Sequence, residues 1–145
     1  VTDAALKHEF VELIPNQLKE GTVYVSIPYA TVVHKCCCGC GNEVVTPLGP
    51  TDWQLVFDGE SISLTPSIGN WSLPCQSHYW IRRNRVKWAP KWTAAQIEAT
   101  RAADRTAKER LFGGRSTDTA ADQAPRRERS SLRRLLQRVW IRLRR

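Results

Sequence analysis

The sequence predicts a mostly β (α+β) fold: a small antiparallel sheet domain with a zinc knuckle, followed by C-terminal helices. Three observations carry this. Short β-branched and aromatic runs, punctuated by Gly, Pro, Asn and Asp, fill the chain up to about residue 93; four of the five cysteines fall within five positions; and from Thr93 the composition turns to Ala, Glu, Lys and Arg. At 145 residues, 41% hydrophobic and 25% charged, the chain has the size of one compact domain plus an appendage.

Strands are expected at residues 23–27, 31–34, 43–46, 53–57, 61–65 and 79–81, short runs of the residue types that suit a half-buried pleat. Asp58-Gly59 marks a hairpin, because a tight turn needs the positive φ that glycine and aspartate tolerate. Two registers follow. One sets Leu55 against Ile62; the other, with the turn one residue later, brings Asp52 across from Ser67. A further turn at Asn84-Arg85 pairs residues 79–82 with residues 86–88. The aromatic residues of these strands are expected in the core rather than on a binding platform.

Thr93-Ala94-Ala95-Gln96 is a capping box, opening a helix expected over residues 94–112. Gly113-Gly114 should stop it, with residues 113–125 as a linker. In residues 126–145, Leu132, Leu135, Leu136, Val139, Trp140 and Leu143 form one apolar stripe flanked by arginines, a basic amphipathic helix. Such a helix suits packing on a protein face, on a second copy or on a membrane surface. The tail lacks a base-stacking aromatic cluster, which argues against nucleic acid as its partner.

The formal net charge of +8 is confined to one end. Residues 1–93 hold eight Lys or Arg and eight Asp or Glu, whereas residues 94–145 hold fourteen bases and six acids. Steering of an anionic substrate by the whole protein is therefore not implied. No run approaches the roughly twenty apolar residues that cross a bilayer, and the first residues lack the pattern of an export signal, so a cytoplasmic setting is expected.

Neighbouring cysteines cannot easily meet disulfide geometry, and an odd count argues against a disulfide framework. Zinc ligation fits better: Cys37-Cys38-Gly39-Cys40-Gly41 is a C-x-x-C-G knuckle and Cys75-Gln76-Ser77-His78 a second, C-x-x-H half. The candidates Cys36, Cys37, Cys38, Cys40, Cys75, His78 and His34 outnumber four places. A closed structural zinc is favoured over a catalytic one. His8-Glu9 lacks the second histidine of the helical metalloprotease motif, and three histidines in all leave little for a hydrolytic metal.

Residues 61–88 gather serines and a histidine around one loop. An imidazole can take the proton of a serine hydroxyl if a third group orients it, so Ser67, His78 and Asp52 form a testable triad, with the Ile68 and Gly69 amides as oxyanion donors. Serines on a solvated face, with His78 as a zinc ligand, would give the same pattern.

The words His34-Lys-Cys36-x-Cys38-Gly39-Cys40-Gly41, Thr51-Asp52-Trp53, Ser63-Leu64-x-Pro66-Ser67-Ile68-Gly69, Cys75-x-Ser77-His78-Tyr79-Trp80-Ile81 and Val86-Lys-Trp88 together resemble the bacterial BubE family, over roughly residues 13–92. That resemblance implies a zinc-containing serine peptidase, encoded beside ubiquitin-like conjugation genes of the Bub type, that trims or releases a bacterial ubiquitin-like protein at its C-terminus and acts on its conjugates. Because the position of Cys37 is not usually cysteine in that family, the resemblance implies Cys36, Cys38, Cys40 and Cys75 as ligands of a structural Zn2+. His78 is then free for catalysis, and residues 1–93 form a zinc-stabilised catalytic domain. Some relatives carry cysteine where this chain has Ala89, and the basic tail lies outside the resemblance. If Ser67 were not the nucleophile, Ser77 or Cys37 would replace it. The rival reading is a non-catalytic zinc-binding adaptor that presents a partner to a ubiquitin-like conjugation machinery, with His78 as the fourth ligand.

Overall fold

The computed structural model describes residues 4–121, with side chains over 4–113. Strands β1 (Lys7–Phe10), β2 (Thr22–Ser26), β3 (Thr31–Lys35), β4 (Glu43–Pro47), β5 (Gln54–Phe57), β6 (Ile62–Gly69), β7 (His78–Arg82) and β8 (Arg85–Trp88) precede helix α1 (Ala94–Ala121). They make two four-stranded sheets, ordered β1-β2-β3-β4 and β5-β6-β7-β8. Every neighbouring pair is antiparallel except β1 with β2.

The period-two alternation of the strands explains what holds the sheets together. Val23, Val25, Val32 and Val44 of the first sheet and Ile62, Leu64, Ile68, Tyr79, Ile81 and Val86 of the second form one buried cluster with Cys36. On the other side of the first sheet, Tyr24 and Val33 pack with Leu18 from the β1–β2 connection, so β2 is buried on both faces.

Hairpin chemistry sets the register of the second sheet. Asp58 N–H donates to the Ser61 carbonyl at 3.1 Å, and Leu55 pairs with Leu64 and Phe57 with Ile62, the later of the two expected registers. Arg82 faces Arg85 across a two-residue turn in which Arg83 and Asn84 both have positive φ, 48° and 56°, as a twist-matched hairpin demands.

The β7–β8 turn is Arg83-Asn84, one residue before the expected Asn84-Arg85, and two strands also depart from the sequence reading. Strand β1, with its Lys-His-Glu start, has no β-forming pattern; it exists because its backbone pairs with β2. Strand β6 runs to Gly69 instead of ending near residue 65, and passes through Pro66, whose peptide bond with Thr65 is cis. Proline fits there because β6 bulges: between the pairs Leu64–Ile81 and Ile68–Tyr79, three residues of β6 stand against one of β7.

The capping box opens α1 as expected: Thr93 N–H donates to Gln96 Oε1 at 2.8 Å and Gln96 N–H to Thr93 Oγ1 at 3.3 Å. The helix continues to Ala121, across the first part of the expected linker. Adding residues to a formed helix costs little even over a Gly pair, about 1 kcal/mol each, whereas restarting one requires a new nucleus. The chain divides into two compact units, Val1–Lys108 and Glu109–Arg145. The expected basic helix at 126–145 lies outside the described residues. Among the described residues no helix is long and apolar enough to cross a membrane.

Candidate active site

The β6 bulge positions Ser67. Gly69 is in register with His78, so Ser67, two residues before Gly69, is on the same face of the sheet and diagonal to the histidine. Ser67 Oγ lies 2.9 Å from His78 Nε2. The other ring nitrogen, Nδ1, lies 2.7 Å from the carbonyl oxygen of Pro90. A carbonyl only accepts, so Nδ1 carries the proton and Nε2 is left as the acceptor of the serine hydroxyl. His78 is buried and Ser67 half-buried.

Aromatic rings enclose the imidazole. The Trp71, Trp80 and Trp92 centroids are 4.9, 5.9 and 4.8 Å from that of His78, and Trp71 stacks on Trp92 at 5.4 Å. Trp71 lies so close over Gly69 that an added Cβ would stand 2.4 Å from its indole nitrogen. Of the strand aromatics, Tyr79 and Trp88 pack in the core as expected, but Phe57 is exposed and Trp80 packs on His78; Trp71 and Trp92, outside the strands, line the site.

Ser67 and His78 open into a cleft of about 270 Å3, also lined by Asp52, Trp53, Ile97 and Arg101. Asp52 shares the cleft but does not reach the imidazole. Its N–H donates to the Gly49 carbonyl at 3.2 Å in a turn before β5, and its Oδ1 lies 3.0 Å from Lys108 Nζ, which also holds Asp104 at 3.0 Å. Continuing the β5–β6 register would set Asp52 opposite Ser67, but regular pairing stops at Gln54 and Thr65. The Pro90 carbonyl thus occupies the position at Nδ1 that the sequence reading gave to Asp52.

The sulfurs of Cys36, Cys38, Cys40 and Cys75 all lie within 4.8 Å of one another. Cys36 Sγ is 3.3 Å from that of Cys38 and 3.9 Å from that of Cys75. Four thiolates about 2.3 Å from one tetrahedral ion stand roughly 3.8 Å apart, so this donor set fits a metal ion. The knuckle closes because Cys36 N–H donates to the Asn42 carbonyl and Gly39 N–H to the Cys36 carbonyl, with Gly39 and Gly41 at φ 82° and 77°. Cys36 follows β3 and Cys75 precedes β7, so the quartet joins the two sheets.

The surplus candidates are engaged elsewhere. Ser77 Oγ lies 3.1 Å from Cys36 Sγ and accepts from Asn70 Nδ2 at 2.8 Å, buried behind the quartet. Burial pushes the Cys37 thiol up to about 11, away from the reactive thiolate. His34 Nε2 lies 2.9 Å from the Tyr79 hydroxyl, and burial holds the ring down at about 4. His78, with both nitrogens engaged, is outside the quartet. Sequence reasoning did not find Pro90, since a main-chain acceptor has no residue signature, or the helix residues of the cleft, Ile97 to Lys108, which come to Ser67 only through tertiary packing.

A family model described as "Bacterial ubiquitination-like system serine protease (BubE)" matches residues 10–89. No curated protein and no solved structure matches the chain.

Proposed function

The chain belongs to the BubE family of bacterial ubiquitination-like system serine proteases, and from that premise we propose that it is a peptidase with Ser67 as nucleophile and His78 as base, acting at the C-terminus of a bacterial ubiquitin-like protein and on its conjugates. The observation that carries this is the pair Ser67 Oγ to His78 Nε2 at 2.9 Å, with the opposite nitrogen fixed by the Pro90 carbonyl at 2.7 Å.

The hydroxyl attacks the scissile carbonyl as Nε2 takes its proton; the imidazolium then protonates the leaving amine, and water repeats the sequence on the acyl-enzyme. The proton on Nδ1 stays on its hydrogen bond to Pro90 throughout. The orienting role thus moves from Asp52 to the main chain, and Asp52 contributes to the cleft wall through Lys108. The tryptophans around His78 exclude bulk water, which strengthens the electrostatic interactions inside the site.

Cys36, Cys38, Cys40 and Cys75 would hold a structural Zn2+. With four thiolate ligands such an ion would supply folding energy rather than an open position for chemistry. The adaptor reading needs His78 as a ligand, and its engagement with Ser67 and Pro90 speaks against that.

The test is the full chain incubated with a C-terminally tagged ubiquitin-like protein from a Bub-type conjugation operon, read by intact mass. Cleavage at the C-terminus, lost in Ser67→Ala with the far-UV circular dichroism spectrum unchanged, is the expected result. Cleavage that persists in Ser67→Ala would overturn the assignment.

A further inference from the structure

We infer that Arg101 of α1 is a substrate anchor, and that the cleft prefers peptide tails carrying a carboxylate close to the bond Ser67 attacks. This rests on the peptidase reading of Ser67 and His78 and adds a substrate chemistry to it.

The inference follows from which charges in the cleft are already satisfied. Ile97, Arg101, Asp104 and Lys108 recur at helical spacing, so one face of α1 walls the cleft that holds Ser67 and His78. Lys108 bridges Asp52 and Asp104, each at 3.0 Å. Glu98, on another face of the helix, holds Arg105 at 3.1 Å. Arg101 is the remaining cation of that wall, and among the described residues it has no ion-pair partner. It is exposed, so its guanidinium is within reach of an incoming chain.

The chemistry of the position favours a carboxylate. A guanidinium presents a planar fork of donors that matches a carboxylate bidentately, and it stays charged at every working pH. Beside it the cleft walls carry Trp53, Trp71, Trp92 and Ile97 as well as Thr100 and the two acids that Lys108 holds, so a carboxylate docked at Arg101 exchanges water for a charge-assisted pair in a partly dry setting. Lys108 cannot serve the same purpose while it holds two acids. The helix residues of the wall lie beyond residues 10–89, the segment matched by the family model.

The test uses the full chain and three fluorophosphonate peptide probes. One carries an acidic side chain and an amidated end, one an apolar side chain and a free terminal carboxylate, and one is the uncharged amide control. Labelling forms a bond from Ser67 Oγ to phosphorus as the phosphorus–fluorine bond breaks; fluoride departs and the serine proton passes to His78. At least one carboxylate probe should label about tenfold faster than the control, and which one does identifies the source of the carboxylate. Arg101→Gln should bring that probe down to the rate of the control measured on the same variant; Arg101→Lys should keep part of the preference, and Arg105→Gln all of it. Equal rates for all three probes, or a preference that survives Arg101→Gln, would overturn the anchor and leave the peptidase reading intact. Failure of every probe to label Ser67 would overturn the peptidase reading and the anchor with it.

Discussion

The hydroxyl of Ser67, the imidazole of His78 and the carbonyl of Pro90 form a hydrogen-bonded chain in which only two members are side chains. Replacing either side chain should be severe and replacing the nearby acid mild. His78→Gln is expected to lower kcat by about 10^4-fold or more, whereas Asp52→Asn should stay within about tenfold; cleavage of the tagged substrate by each purified variant measures both. Asp52 still matters to the shape of the cleft, so its variant should raise KM more than it lowers kcat. Gly69 tests the surroundings. With an added Cβ 2.4 Å from the Trp71 nitrogen and 2.5 Å from its Cε2, Gly69→Ala must displace the indole that shields the histidine. Equilibrium denaturation should register a loss of about 1–3 kcal/mol, accompanied by reduced turnover.

At the scale of elements, the β5–β6 hairpin gives a pH prediction. Asp58 accepts the Ser61 and Glu60 amides at 2.7 and 3.0 Å and the Ser61 hydroxyl at 2.8 Å, and these bonds, the Ser61 amide foremost, lower its carboxyl to about 2. The folded value lies below the unfolded one, so the turn's contribution is fully present above the ordinary carboxylate range and is lost as pH falls toward 2. A side-chain carboxyl titration by NMR should show this midpoint, and Asp58→Asn should abolish it. The strands were legible because alternation and turn residues act locally: β2 to β5, β7 and β8 fall close to where valines, aromatics and the Asp-Gly turn put them. Strand β1 was not, since its Lys-His-Glu start gains order only from a partner remote in sequence. The ligand quartet was legible as a surplus of cysteines, narrowed by the family resemblance. The meeting of Ser67 with His78 could be posed as a question of register, but the bulge at Pro66 that aims the serine, and the turn at Gly49 that withdraws Asp52, depend on tertiary context. The reach of α1 into the cleft is of the same kind.

For the molecule as a whole, the cysteine quartet adds a tie between the two sheets beside their shared core, because Cys36 leaves one and Cys75 leads into the other. If the quartet holds a structural ion, a strong chelator, or Cys75→Ser, should lower Tm by roughly 10 °C or more, read by calorimetry, with activity lost only through unfolding. All the residues that line the cleft precede Glu109. Deletion of residues 126–145 is therefore expected to leave kcat on the tagged substrate unchanged, and any loss of kcat in that truncation would assign the tail a part in turnover. The Pro90 carbonyl has a genetic corollary. A saturation screen for null alleles would return Ser67 and His78 but no acid of equal severity, because no codon change deletes an oxygen of the main chain; even Pro90→Ala keeps it. Interrogating that oxygen calls for semisynthesis, with the amide between residues 90 and 91 exchanged for an ester whose carbonyl accepts less strongly.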